Sequence, residues 1–214
     1  MNSEKSRELT IECAPKGPYL VKGLEKFVNS KGESIETKSV IALCRCGASS
    51  NKPFCDGTHA KIGFSGEKST DASKDERDHY AGKKITIHDN RSICSHAGIC
   101  TDDLASVFRL RQEPWIDPDG AEVEAIIETV CACPSGALSY SIDDVEHKDQ
   151  ERGPMIAVSK DGPYCVTGNI ALKDVPLAKK TSEEHYTLCR CGASKNKPFC
   201  DGSHWDAEFK DEEN

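Results

Sequence analysis

Apolar residues in this chain fall in short bursts, and the bursts are written twice. Tyr19, Leu20 and Val21 follow Gly17-Pro18 and precede Lys22-Gly23. At an offset of 145 the run returns as Gly162-Pro163-Tyr164-Cys165-Val166-Thr167-Gly168. An apolar burst bounded by glycine and proline reads as a short strand leaving a tight turn. Each half is therefore predicted to be a strand, a Gly-Pro turn, a second strand, a variable stretch and then a polar loop. A half of about 55 residues buries too little surface to stand alone, so the two copies are expected to pair and share a sheet.

The middle of the chain is patterned differently. Residues 65–84 are polar and charged and read as a linker. Lys84-Ile85-Thr86-Ile87-His88 alternates as a strand does. Thr101-Asp102-Asp103-Leu104 has the form of a capped helix start, and Pro118-Asp119-Gly120 that of a turn after Trp115 and Ile116. Val123, Ile126, Ile127 and Val130 recur at helical spacing. Cys131-Ala132-Cys133-Pro134 ends that helix, Ala137 to Ile142 is a closing strand, and residues 147–153 form a second charged linker.

The polar loops change the picture from small β modules to metal modules. The first runs Cys44-Arg45-Cys46-Gly47-Ala48-Ser49, then Asn51-Lys52-Pro53-Phe54-Cys55-Asp56-Gly57-Thr58-His59. The second runs Cys189-Arg190-Cys191-Gly192-Ala193-Ser194, then Asn196-Lys197-Pro198-Phe199-Cys200-Asp201-Gly202-Ser203-His204, at the same offset of 145. Three thiolates and one imidazole make a complete four-ligand set. Cys44 and Cys46 on an extended segment point the same way, and Cys55 and His59 share one face of a helical turn. Gly57 is expected to allow close backbone approach, and Pro53 to stiffen the approach to Cys55. A Cys3His zinc site takes these same four ligands, but C-x2-C is its commoner spacing.

Composition agrees with several small modules. Of 214 residues, 36% are hydrophobic and 30% charged, too lean for one large core, and thin cores need a metal or disulfides. Twelve cysteines allow either. The Met1-Asn2-Ser3-Glu4-Lys5 opening carries no apolar run, so the expected setting is a reducing cytoplasm, without membrane anchorage, where metal ligation is favoured. A net charge of -8 speaks against nucleic acid and suits a carrier that docks basic-faced redox proteins, although solubility alone also explains it.

The motif C-x-C-x2-S-x3-P-x-C-D-G-[S/T]-H resembles the signature of the CDGSH (NEET) iron–sulfur family, with Thr58 as a mild departure in the first copy. The resemblance covers about half the chain. It implies a 2Fe-2S cluster on Cys44, Cys46, Cys55 and His59, and another on Cys189, Cys191, Cys200 and His204. One imidazole in place of a thiolate removes negative charge, so such a cluster is easier to reduce than an all-cysteine one. Reduction is then expected to couple to proton uptake at histidine, and acid to loosen the cluster. Arg45, Arg190, Lys52 and Lys197 read either as cations that damp the cluster's charge or as ordinary surface cations.

The central stretch resembles single-cluster bacterial-type ferredoxins over residues 84–143, from Cys94-Ser95-His96-Ala97-Gly98-Ile99-Cys100 to Cys133-Pro134. Ala97 stands where a fourth cysteine belongs, so Cys94, Cys100 and Cys133 imply a 3Fe-4S cluster. Cys131 as a fourth ligand would restore a 4Fe-4S cluster, but it reads as a buried thiol; His96 is another candidate ligand, although it reads better as a surface or hydrogen-bonded histidine. Cys13 and Cys165 align with Val158 and Leu20 and read as packing residues, as do Trp115, Trp205 and Tyr140.

The expected architecture is α+β. Two β-rich CDGSH modules (residues 8–66 and 153–210) pair as an intramolecular pseudo-dimer, with a ferredoxin-like module (residues 83–145) between them, in a monomer. No acid–base pair, nucleophile elbow or phosphate loop accompanies the ligands. The expected function is therefore one-electron transfer without enzymatic activity; the alternative is a cluster donor or redox/pH sensor that releases its outer clusters.

Overall fold

The structure, a computed structural model, describes residues 8–212 and residue 214; the Met1–Lys5 opening lies outside them. It is rich in short strands and poor in helix. The first half contains β1 (Thr10–Cys13), β2 (Tyr19–Lys22), β3 (Phe27–Val28), β4 (Val40–Leu43) and the single turn α1 (Thr58–Lys61). The middle contains β5 (Asp78–Ala81), β6 (Thr86–Asp89), α2 (Ile99–Asp103), α3 (Val123–Cys131), β7 (Leu138–Ile142) and β8 (Val145–His147). The second half contains β9 (Met155–Val158), β10 (Tyr164–Thr167), β11 (Ala171–Leu172) and β12 (Tyr186–Leu188).

Strands β1, β2 and β4 form an antiparallel meander, and β9, β10 and β12 repeat it. Instead of one shared sheet there are two, and each borrows a strand from the other half. Strand β11 runs parallel to β1 with Leu172 opposite Ile11, and β3 runs parallel to β9 with Phe27 opposite Ile156. These are one pairing written twice at the offset of 145. The reason lies in size: a two-residue strand buries nothing by itself and persists only at the edge of a sheet already formed. Ile11, Tyr19, Val21, Phe27 and Leu43 thereby join Ile156, Val158, Tyr164, Val166 and Leu188 in one buried core.

The middle module has its own core of Ile85, Ile87, Val107, Phe108, Ile116, Ile126, Val130 and Leu138 under the antiparallel sheet β5-β6-β7-β8. Its outline differs from expectation in three places. Strand β5 lies inside the stretch expected as linker 65–84, because polar Asp78 and His79 still complete a ladder against Asp89 and His88. Strand β8 carries the sheet past residue 145 to His147. Helix α2 starts at Ile99 rather than Thr101, since Gly98 at φ +83 supplies the left-handed cap.

This module docks on the second half. Asn196 Nδ2 donates to Ser92 O at 2.6 Å and Trp205 Nε1 to His96 O at 3.1 Å, while Gln150 Nε2 of the linker between them donates to Cys131 O at 2.6 Å. The stretch before it is held there too, by Ser69 N to Lys195 O at 2.8 Å and by the Asp71–Lys195 ion pair.

Candidate metal centres

Each outer loop is built by its own motif residues. Cys44 leaves the end of β4, and its N–H donates to Pro53 O at 2.8 Å, while Cys55 N–H returns to Ala42 O at 2.8 Å. The loop thus folds back beside the strand. Ser49 Oγ donates to Phe54 O at 2.7 Å, and Ser194 Oγ to Phe199 O at 2.7 Å. Asp56 accepts from Ser50 and Thr58 N–H groups, and Asp201 from those of Lys195 and Ser203. Those bonds hold the Asp56 carboxyl well below the usual carboxylate range. Both histidines follow a glycine at φ near +87, which lets the chain turn between the third cysteine and the helical turn. Cys55 therefore precedes α1 rather than sharing it with His59. Gly57 serves through this dihedral, not through close approach, since an added Cβ would meet nothing within 4 Å.

The donors stand in pairs. Cys44 Sγ and Cys46 Sγ are 3.9 Å apart, and Cys55 Sγ and His59 Nδ1 3.3 Å. In the second copy Cys189 and Cys191 are 3.7 Å apart, and Cys200 Sγ and His204 Nδ1 3.5 Å. Two ligands at about 2.0–2.3 Å on one tetrahedral metal stand roughly 3.5–3.8 Å apart, so each pair fits one metal ion. Among the described residues no three His, Cys, Asp or Glu side chains gather around a single ion position. Burial raises the Cys200 and Cys46 thiols above their ordinary range, and the Cys191 thiol beside it, then burial, raises Cys189. Such thiols give up their protons when a cation takes their place.

The two loops meet. An added Cβ on Gly47 would lie 2.2 Å from Cys191 O, and one on Gly192 2.5 Å from Cys46 O. Only glycine permits that approach. Beneath, the Tyr19 hydroxyl lies 2.9 Å from Cys189 O and 3.0 Å from Pro198 O, and the Tyr164 hydroxyl 3.0 Å from Cys44 O and 2.9 Å from Pro53 O. Each tyrosine thus supports the opposite loop, with the rings edge to face at 6.1 Å. The Gly-Pro-Tyr repeat was the signal for these residues, although no functional role had been expected of it.

Cys94, Cys100 and Cys133 line one cavity of about 520 Å³, together with Ala97, His96 and Asp201. Burial first, then the charge of Cys133, pushes Cys100 up to about 11. Cys131 is half-buried and does not line this cavity. Asp201 neighbours Cys200, and an added Cβ on Gly202 would lie 2.7 Å from the His96 ring. The central thiols and the second loop therefore share a wall. The outer loops are also unequal: Cys200 and His204 are buried, while Cys55 and His59 are half-buried.

Several expectations change here. Arg45 and Arg190 are not surface cations; both are buried beside tyrosine and phenylalanine rings. Lys52 Nζ and Lys197 Nζ donate to Ser49 O and Ser194 O. Trp205 is 62% exposed and caps His96 O rather than packing inside. Cys13 packs against the shared core, whereas Cys165 lines a second cavity of about 860 Å³ beside His204 and Pro134.

Residues 16–60 and 161–205 each match the family described as an iron-binding zinc finger of CDGSH type. The chain belongs to the CDGSH family. Between its two CDGSH domains, residues 80–143 match a divergent 4Fe-4S mono-cluster family, so this is an iron–sulfur protein with three cluster-binding domains. The central match indicates a 4Fe-4S cluster rather than the 3Fe-4S cluster expected from Ala97. The chain is also similar to uncharacterized protein YjdI of Escherichia coli K12. The two are 41% identical over 61 residues, 28% of this chain and 80% of that protein. The O157:H7 strain's YjdI matches to the same extent. No solved structure matches. No helix among the described residues is long and apolar enough to cross a membrane.

Proposed function

We propose that this protein is a one-electron carrier, not an enzyme. In this reading a 2Fe-2S cluster sits in each CDGSH domain, on Cys44, Cys46, Cys55 and His59 and on Cys189, Cys191, Cys200 and His204. A 4Fe-4S cluster sits on Cys94, Cys100 and Cys133. The donor sets fit: two pairs, each at the span of one metal, suit a two-iron centre better than a single zinc. Three thiols around one cavity, with Ala97 at the remaining corner, suit a cluster with three cysteine ligands. Bound there, such clusters supply reversible one-electron chemistry.

One observation carries the reading: Asp201, next to ligand Cys200, lines the same cavity as the three central thiols. The Gly47 and Gly192 contacts then join the second loop to the first. The chain's own residues thus arrange the three sites in series, central to second to first. The first site, half-buried, is the port for a partner, and the net charge of -8 favours a basic-faced one. The reciprocal strand exchange supports an internal pseudo-dimer, and with it a monomer; the reading sets that monomer in the cytoplasm. The ferredoxin-like reading of the middle rests on its strand and helix order.

A second reading, release of the first cluster to an acceptor, is favoured by the greater exposure of Cys55 and His59 alone. Mixing the reduced holoprotein with an apo-ferredoxin and a separate redox acceptor distinguishes them. Acceptor reduction with all iron retained supports the carrier. Iron transfer to the apo-ferredoxin without acceptor reduction overturns it.

A further inference from the structure

The internal repeat supplies a comparison for one buried charge. Arg45 and Arg190 hold the same place in the two halves, between the first two cysteines of each motif, and are 5% and 1% exposed. Their aromatic surroundings match. Arg45 lies 5.2 Å from the Tyr19 ring and 5.8 Å from Phe64; Arg190 lies 5.7 Å from Tyr164 and 4.9 Å from Phe209. Their counter-charges do not match. Arg190 donates from Nη1 to the Asp211 carboxylate, from Nε to Gly162 O and from Nη2 to Ser159 O. At the offset of 145, the place of Asp211 is taken in the first half by Gly66. The Gly66 carbonyl accepts from Arg45 Nη2 at 2.7 Å, Arg45 Nε is buried without a partner, and no carboxylate among the described residues pairs with it.

A buried guanidinium without a counter-ion is costly, and one fold with two such sites neutralises only one from within. The other borders a cavity that opens to solvent. Arg45 and Gly66 line a cavity of about 550 Å³, where Lys16, Lys68 and Lys197 outnumber Glu67 and Asp174.

We propose that this cavity binds a small dicarboxylate, one carboxylate taking at Arg45 the place that Asp211 takes at Arg190, the other meeting the lysines. The inference is independent of which clusters the protein holds. Arg45 stands between Cys44 and Cys46, and Lys197 belongs to the second motif, so the anion lies against both loops and neutralises the charge beside the first donor pair.

The test uses the full metal-loaded chain with succinate as probe, followed by calorimetric titration and thermal unfolding at low ionic strength. Succinate should bind wild type saturably and raise its Tm. Gly66→Asp copies the second half. Its Cβ would meet Arg45 Nη1 at 2.3 Å, but Nη1 is the end of a flexible side chain and can give way. That variant should unfold at a higher temperature than wild type without succinate and bind succinate at least about tenfold more weakly. Lys68→Ala, an exposed change that leaves the fold alone, should weaken succinate severalfold even if Gly66→Asp fails to fold. The proposal is overturned if succinate does not bind, if Lys68→Ala binds it as wild type does, or if folded Gly66→Asp does so. It is also overturned if inorganic phosphate binds and succinate does not.

Discussion

Replacing Gly57 and Gly202 by alanine, one at a time, isolates the docking of the middle module. The two glycines hold the same place in the two motifs, at φ +87 and +86. A Cβ in that left-handed region costs roughly 1–2 kcal/mol, and both variants incur it. At Gly57 the methyl would meet nothing within 4 Å; at Gly202 it would lie 2.7 Å from His96 Cγ and 2.8 Å from Nδ1. The His96 side chain is exposed, but its φ of +52 and the bond its carbonyl accepts from Trp205 Nε1 restrain the backbone that carries the ring. Forcing a methyl into such a contact costs about 1–3 kcal/mol more. Gly57→Ala should therefore lose roughly 1–2 kcal/mol and Gly202→Ala roughly 2–5 kcal/mol. Urea denaturation of the metal-loaded protein, followed by cluster absorbance and tryptophan fluorescence, measures both. Hydrogen exchange should also quicken at residues 94–100 in Gly202→Ala alone. Equal losses with unchanged exchange would refute the contact between the central cavity and the second loop.

Other perturbations test separate links. Tyr164→Phe removes the hydroxyl that reaches Cys44 O and Pro53 O; Pro53 O keeps the Cys44 N–H, so one buried carbonyl loses its partner. The cost should be about 1–3 kcal/mol by urea midpoint, and a loss near zero would deny that the tyrosine supports the opposite loop. Asp211→Ala strands the fully buried Arg190 and should cost about 3–5 kcal/mol; a wild-type midpoint would show that the ion pair does not form. His88 faces His79, Ser141, Arg77 and Glu146, and burial first, then Arg77, pulls it down to about 4. The folded state thus prefers the neutral ring. Its contribution, roughly 3 kcal/mol at about 1.4 per pH unit, is complete above pH 6.5 and lost as pH falls to 4. The stability difference between wild type and His88→Gln should narrow across that window, and a difference independent of pH would contradict the assignment.

Both outer loops were legible because each ligand is tied to its neighbours by bonds a few residues long. Ser49, Asp56 and Gly57 act within their own loop, and a motif records such local geometry. Helix α3 was legible from its apolar spacing for the same reason. Strand β5 was not, because Asp78 to Ala81 has no apolar alternation and persists by pairing with β6. Trp205 was misread because its surroundings come from a module far away in the chain.

The sequence by itself supplied the candidate donors: three cysteines and a histidine, written twice, with a third set of cysteines between. Those facts follow from residue type and local spacing. The tertiary structure decided everything that depends on long-range contact. It exchanged β3 and β11 between the halves, set Tyr19 and Tyr164 under each other's loops, and left Arg45 without the carboxylate that Arg190 has. It also buried Cys200 and His204 of one CDGSH loop and left Cys55 and His59 of the other half-buried. Two nearly identical motifs cannot encode that difference, because it arises from what packs against them: Gly202 of one meets His96 across the shared wall, and Gly57 of the other has no such neighbour.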